Sequence, residues 1–166
     1  MKNSIGKIEQ NKYQIKTIRA DWWDYSSSGV YFVTICLKKM HPVFGKLVLE
    51  TVSLNSIGLI ANTNWLRIPE FFPFISLGPY IIMPDHLHGI LFANKLTNTF
   101  VNQKKMGPQS NNLASIIRGF KSSVTIEARK IEPNFTWQKL YYDRIVRNEQ
   151  ELENVIQYIY DNPIKG

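Results

Sequence analysis

The order in which strand-like and helical segments follow one another constrains the fold of this chain more than any other feature. Residues 31–37 are β-branched and aromatic and follow a Ser- and Gly-rich turn, which predicts a buried strand. Apolar residues then recur at helical spacing from Leu54 to Ile68, and two strands over 71–83 and 86–93 form a hairpin. Asn112 is the predicted N-cap of a second helix, and a strand over 141–146 precedes a last helix over 149–161 that stops at Pro163.

This order predicts an α+β fold: a ferredoxin-like split βαβ sheet, or RRM-like palm, with an extra C-terminal helix. Such a sheet packs two helices on one face and leaves the other face open. No linker separates domains, so a single domain over 1–166 is expected. We predict that residues 1–21 form a basic N-terminal arm and that the polar segment 94–111 is a mobile loop.

The net charge of +7 is concentrated in two segments. Residues 1–20 carry five basic and one acidic side chain, and residues 104–147 carry nine basic and three acidic. This distribution suits a polyanionic partner, nucleic acid before membrane, although mild basicity also serves solubility alone. The apolar runs are too short to span a bilayer, and the single cysteine, Cys36, fits a reducing cytoplasm. We therefore expect a cytoplasmic protein.

Two histidines in the second hairpin strand are the first candidate functional residues. His86 and His88 lie two positions apart, so both side chains leave the same face of the sheet, while Leu87 points into the core. Two imidazoles on one face form the beginnings of a divalent metal site. The alternative is that both histidines simply face solvent.

The last helix carries a tyrosine and an asparagine one turn apart. Tyr158 and Asn162 share one stripe of this helix, beside an apolar stripe that must pack on the body of the protein, and Tyr160 is expected nearer that apolar side. Tyr158 and Asn162 could therefore face the metal site together, the phenol as nucleophile and the amide as a third, neutral ligand. The alternative is that Tyr158 is an ordinary interface residue.

Several short motifs occur in the order seen in one protein family. They are Tyr31-Phe-Val-Thr-Ile35, Met83-Pro-Asp-His-Leu-His-Gly-Ile90, Phe120-Lys-Ser122, Trp137-Gln138, Tyr142-Asp143 with Arg147, and Tyr158-Ile-Tyr-Asp-Asn-Pro163. With these motifs the chain resembles the small HUH transposases that use a single tyrosine, and most closely the REP-associated tyrosine transposases. The match runs from about residue 22 to 163.

The resemblance implies a metal-dependent single-strand DNA endonuclease and strand transferase. His86 and His88 would be ligands of Mg²⁺ or Mn²⁺, Asn162 a further ligand, and Tyr158 the nucleophile that forms a covalent 5′-phosphotyrosine intermediate. The substrate would be single-stranded or hairpin DNA, with phosphate contacts expected from basic residues of the second helix: Arg118, Lys121 and Arg129. The alternative is a non-catalytic module on the same fold that binds single-stranded nucleic acid. Monomer and homodimer both stay open.

Overall fold

The computed structural model describes residues 29–38, 42–94 and 112–165. The predicted basic arm over 1–21 lies outside these ranges, as does nearly all of the predicted loop over 94–111, so both stay predictions. The single-domain organisation also stays a prediction. The described ranges contain every candidate site residue.

Six strands are present in the described residues, four in a main sheet and two in a separate hairpin. In chain order they are β1 (Gly29–Cys36), β2 (Gly45–Val48), β3 (Thr51–Leu54), β4 (Ile75–Ile82), β5 (His86–Ala93) and β6 (Tyr142–Val146). The main sheet has the order β4-β5-β1-β6, and every neighbouring pair is antiparallel. The connections from β1 to β4 and from β5 to β6 therefore each pass over one intervening strand. The α+β prediction is confirmed, and the ferredoxin-like assignment is our interpretation of this strand order.

Four helices complete the described fold: α1 (Ser56–Leu66), α2 (Ile68–Phe71), α3 (Leu113–Ala128) and α4 (Glu149–Lys165). Asn112 caps α3 as predicted, because its side chain accepts a hydrogen bond from the Ser115 amide while the Ser115 hydroxyl accepts one from the Asn112 amide. No helix in the described ranges is long and apolar enough to cross a membrane.

Two predicted helix boundaries were wrong. The first helix was expected to run from Leu54 to Ile68, but the Asn55 side chain accepts hydrogen bonds from the next free amides and fixes the start of α1 at Ser56. The last helix was expected to stop at Pro163 but continues to Lys165. Pro163 is buried in the last turn, and this packing offsets the hydrogen bond that proline cannot donate.

One face of the main sheet, which we call the core face, packs against α1 and α3. Leu87 and Leu91 of β5 lie in this cluster with Trp65 of α1 and Phe120 of α3. Gly89, between the two leucines, meets the Trp65 ring so closely that an added Cβ would lie 2.3 Å from its Cζ2 atom. The expectation that Leu87 points into the core is confirmed.

The opposite face, which we call the histidine face, was expected to be open and is instead covered by α4. Val155 and Ile159 of α4 pack against Phe32, Ile90 and Val146 of the sheet. The expectation was wrong because this face also carries large apolar side chains, and their burial under an amphipathic helix is favourable. The covering helix carries Tyr158, so the same packing brings this tyrosine to the sheet.

The β2–β3 hairpin was not predicted. Its turn residues, Leu49 and Glu50, both have positive φ angles, 46° and 61°, and neither is one of the residue types that usually mark such turns. The base of the hairpin is tied to the loop before β5 by a hydrogen bond from the Phe44 amide to the Pro84 carbonyl. The hairpin therefore emerges beside the segment that carries the two histidines.

Candidate active site

The two histidines lie side by side on the histidine face, as strand alternation predicts. The Nε2 atoms of His86 and His88 are 3.1 Å apart, and the ring centroids are 4.6 Å apart. Both rings come from β5, whose neighbours on either side hold the strand in register. The structure thus brings together two nitrogen donors that can point at a common centre.

Each histidine has a hydrogen-bonding partner at its other ring nitrogen. His86 donates from Nδ1 to the Asp85 carboxylate at 2.6 Å, and His88 Nδ1 lies 2.8 Å from the Thr34 hydroxyl. The hydrogen bond from His86 lowers the pKa of Asp85, although partial burial of the carboxyl opposes this. Partners of this kind orient imidazoles for metal binding and hold the Nε2 atoms towards the ion.

His88 is fully buried, with none of its surface exposed. It stacks on Phe32 with a centroid distance of 5.6 Å, and the ring of Tyr158 lies against it at 5.2 Å. Burial, and secondarily the neighbouring His86, hold the pKa of His88 well below its usual value, so the ring is neutral. The alternative that both histidines simply face solvent does not hold for His88.

Tyr158 and Asn162 extend the cluster from the side of α4. The Tyr158 hydroxyl is 3.5 Å from His88 Nε2, which is a long contact, and its ring meets Phe32 edge-on at 6.0 Å. Burial raises the pKa of the Tyr158 phenol, and a hydrogen bond with the Asn162 side chain opposes that shift. The phenol is therefore held in its protonated form at neutral pH.

Tyr160 was expected nearer the apolar side of α4, and this was wrong: 64% of its surface is exposed. Helix packing centres on Val155 and Ile159. At about 100° per residue, Tyr160 lies about 140° around the helix from Val155, outside the buried arc. Tyr158 and Asn162 lie within that arc, which leaves Tyr158 as the tyrosine of α4 that reaches the histidines.

The donors present fit a divalent ion that accepts nitrogen and oxygen ligands. Two nitrogen atoms in adjacent coordination positions, each about 2.0–2.2 Å from one ion, lie roughly 3 Å from each other. The Nε2 atoms of His86 and His88 are 3.1 Å apart, which matches this separation. No group of three His, Cys, Asp or Glu side chains in the described residues could hold an ion. Cys36 lies opposite His86 in the strand pairing, but burial raises the pKa of its thiol to about 12, which disfavours the thiolate that binds metals. A further protein ligand would therefore be a neutral oxygen, for which Asn162 is the candidate.

The three basic residues predicted to contact DNA lie on or beside α3. Because α3 packs on the core face, the structure does not bring these residues to the histidines. Arg118 is exposed. Lys121 donates from Nζ to the carbonyls of Gln138 and Leu140, at 2.9 and 3.2 Å, so its ammonium already has partners. Burial lowers the pKa of Lys121 to about 8. Arg129 donates from Nε to the Phe135 carbonyl at 3.1 Å.

Comparisons with known proteins agree with the fold. No established family profile matches the chain. An uncharacterized protein of Haemophilus influenzae is 35% identical over 158 residues, covering 90% of this chain and 88% of the relative. The chain belongs to one family with that protein.

A more distant relative and a solved structure show a resemblance between this chain and a class of transposases. A second Haemophilus influenzae protein, provisionally named a REP-associated tyrosine transposase, is 22% identical over 149 residues, which cover 86% of this chain and 74% of the relative. A REP-associated tyrosine transposase solved bound to a REP hairpin superposes with a TM-score of 0.63 at 16% identity, over 91% of this chain and 74% of that one. The chain therefore resembles the REP-associated tyrosine transposases.

Sequence analysis missed two residues that contact the histidine pair. Asp85 and Thr34 were quoted only as members of motifs, and no role was predicted for either. Asp85 could have been identified from the sequence, because it is adjacent to His86. Thr34 could not be assigned, because its contact with His88 depends on the register between two strands separated by 54 positions in the chain.

Proposed function

We propose that the protein is a DNA nicking and joining enzyme, a transposase-like endonuclease and strand transferase that acts on single-stranded or hairpin DNA. The observation that carries the proposal is the convergence of the Tyr158 hydroxyl with the paired Nε2 atoms of His86 and His88. Apolar packing alone does not require two imidazoles and a phenol with their polar atoms together. The resemblance to REP-associated tyrosine transposases supports the same proposal.

In the proposed reaction Tyr158 is the nucleophile. Its oxygen attacks the phosphorus of a phosphodiester, the bond from phosphorus to the 3′ oxygen breaks, and a 5′-phosphotyrosyl bond forms. The phenol proton goes to a base and the departing 3′ oxygen takes up a proton. The covalent ester keeps the energy of the phosphodiester, so attack by another 3′-hydroxyl rejoins the strand without ATP. The ring of Tyr158 is held for this attack by Phe32 and His88.

We propose Mg²⁺ or Mn²⁺ as the cofactor, with His86, His88 and Asn162 as its protein ligands. When bound, the ion supplies positive charge that stabilises the negative charge that develops on the phosphate oxygens. Asp85 and Thr34 orient the rings of His86 and His88 through contacts with their Nδ1 atoms. Asn162 also contacts the Tyr158 side chain, so it positions the nucleophile from within the same helix.

A second function is favoured by one observation, the complete burial of His88 beneath Tyr158 and Phe32. In this arrangement His88 is closed off from solvent. A protein that binds single-stranded nucleic acid without cutting it does not need access to this side chain, whereas a nicking enzyme does. Cleavage requires α4 to shift enough to admit a phosphate beside Tyr158.

One experiment separates the two functions. The protein is incubated with hairpin DNA and with single-stranded DNA in the presence of Mn²⁺, and the products are run on a denaturing gel. A DNA-linked protein band that survives denaturation supports the nicking enzyme. Retention of the DNA on a native gel without any covalent band supports the binding module.

A further inference from the structure

The turn of the β2–β3 hairpin carries an exposed leucine in a backbone conformation that leucine rarely adopts. Leu49 and Glu50 have φ angles of 46° and 61°, and the Thr51 hydroxyl donates to the Val48 carbonyl at 2.7 Å, which closes the turn. Leu49 is 92% exposed. Asparagine or glycine would adopt a positive φ with less strain and would leave no apolar side chain in water. Neither the turn nor solubility therefore requires this leucine, and strained residues concentrate at binding and catalytic sites.

One side of the hairpin is apolar from the core to the turn. Leu54, at the inner end of β3, packs against the core cluster. Val52 lies two positions further out on the same side of β3. Leu47 of β2 pairs with Val52 and is already 39% exposed. The apolar surface therefore leaves the core, becomes accessible to solvent at Leu47 and leads to the turn.

The base of the hairpin is packed closely on the body of the protein. The Asn55 amide donates to the Phe44 carbonyl at 2.9 Å, which ties the end of β3 to the start of β2. An added Cβ on Gly58 of α1 would lie 2.1 Å from the same carbonyl oxygen, so only glycine permits this approach. The hairpin is thus held in one position at its base, and its turn is presented in a defined place.

That place is beside the candidate active site. The Phe44 amide donates to the carbonyl of Pro84, two residues before His86, and β3 contacts α4, the helix that carries Tyr158. Each hairpin strand has four residues, so the turn lies about 13 Å from the base, the length of about four stacked nucleotides. A DNA strand held at the histidines therefore reaches the turn within a few nucleotides of its bound phosphate.

We propose that the hairpin tip, residues 47–50, contacts unpaired bases of the bound DNA, with Leu49 inserted between neighbouring bases. This inference rests on the proposed function, since it requires DNA at the histidine face. The tip has three aliphatic residues and one acidic residue, Glu50, so it suits the apolar faces of bases and would repel phosphates. Leucine is one of the side chains that proteins insert between bases to unstack them, and unpaired bases leave their faces accessible.

The first test measures the affinity of the full chain for a DNA hairpin with single-stranded tails, by fluorescence anisotropy. Leu49→Asn relieves the strained turn and removes the apolar side chain. We expect an unfolding temperature equal to or above that of wild type and DNA affinity about 10-fold weaker. Leu49→Met keeps an apolar side chain and should bind nearly as wild type does. The matched control is Ile126→Gln, which removes another exposed aliphatic side chain from α3, on the core face, and should leave the affinity unchanged.

The second test reports on the bases themselves. The fluorescence of 2-aminopurine rises when this base is unstacked, and it is placed in turn at each position of the single-stranded tails. We expect wild type to raise the fluorescence at neighbouring positions of one tail and Leu49→Asn to raise it at none. Tyr158→Phe should give the wild-type pattern, because contact with the tip does not require the nucleophile.

The outcomes separate the tip from the proposed function. Wild-type affinity and fluorescence in Leu49→Asn overturn the role of the tip, and a covalent product still formed by wild type then leaves the nicking enzyme intact. Equal weakening in Leu49→Asn and Leu49→Met overturns it too, because apolar character is then not what matters. Unchanged DNA affinity with loss of a concentration-dependent dimer in Leu49→Asn would assign the tip to a second copy of the chain. A wild-type protein that binds no DNA removes the basis of both proposals.

Discussion

Replacing Tyr158 with Phe removes one oxygen atom from the centre of the candidate active site and leaves the ring in place. The ring contacts with His88 and Phe32, at centroid distances of 5.2 and 6.0 Å, do not involve the hydroxyl and are expected to persist. The oxygen itself makes one long contact of 3.5 Å with His88 and a hydrogen bond with Asn162. The perturbation is therefore large for the proposed chemistry and small for the fold.

The cost in stability follows from these contacts. One hydrogen bond contributes about 0.5–1.5 kcal/mol, and water can reach the half-buried Tyr158 position to replace part of it. For a domain of this size about 1 kcal/mol shifts the unfolding temperature by roughly 2–4 °C. We expect the Tyr158→Phe protein to unfold within about 6 °C of wild type and to bind hairpin DNA with unchanged affinity.

The chemical effect is expected to be complete, because without the oxygen no phosphotyrosyl ester can form. The assay uses hairpin or single-stranded DNA with Mn²⁺ and two labels. A label at the 3′ end marks the fragment that becomes attached to protein, and a label at the 5′ end marks the fragment released with a free 3′-hydroxyl. Tyr158→Phe should give neither the protein-linked band nor the released fragment.

Tyr160→Phe is the matched control, since it makes the same change two residues further along α4 at an exposed position. It should keep both products at wild-type yield. If Tyr158→Phe forms the covalent product, or if Tyr160→Phe loses it, the assignment of the nucleophile is refuted. If wild type binds DNA and never forms the product, the nicking activity is refuted and the binding module remains.

Three further predictions concern the metal site, the DNA surface and the core. His86→Ala should lose Mg²⁺ binding by calorimetry and cleavage by the labelled-DNA assay while keeping DNA affinity, and cleavage at the wild-type rate would contradict the metal proposal. Arg118→Ala should reduce the slope of log DNA affinity against log salt concentration by about one. Lys121→Met should leave that slope unchanged and lower the free energy of unfolding by about 1–2 kcal/mol, because the Lys121 ammonium donates to two carbonyls. A smaller slope for Lys121→Met would show that Lys121 contacts phosphate. Gly89→Ala should destabilise the protein by about 1–3 kcal/mol or more in urea unfolding, because the Cβ of the alanine would lie 2.3 Å from the Trp65 ring. An unfolding midpoint equal to that of wild type would show that the packing around Trp65 relaxes.

Local pattern in the sequence was sufficient for the parts of the site that lie within one element. Strand alternation places His86 and His88 on one face, because side chains in a strand repeat every two residues. Helical periodicity places Tyr158 and Asn162 together on α4, because positions four apart lie one above the other. The N-cap at Asn112 was predictable for the same reason, since its partner Ser115 is three residues away.

Tertiary structure decided everything that depends on which elements meet. The hydroxyl of Thr34 reaches His88 only because β1 pairs with β5 in one register, and a shift of one residue would turn Thr34 to the other face. Lys121 was predicted to contact DNA, but the segment before β6 returns to α3 and brings two carbonyls to the Lys121 ammonium. Such contacts join residues far apart in the chain, where periodicity carries no information.

The burial of the site depends on both the sequence pattern of single elements and the packing between elements. The sequence determined that the chain has a histidine pair on one strand and a tyrosine on an amphipathic helix, because each pattern is set by the geometry of a single element. It did not determine that α4 would lie across the histidine face and leave His88 with no exposed surface. That arrangement follows from the burial of Phe32, Ile90 and Val146 against Val155 and Ile159, and only the packed structure fixes how such faces meet.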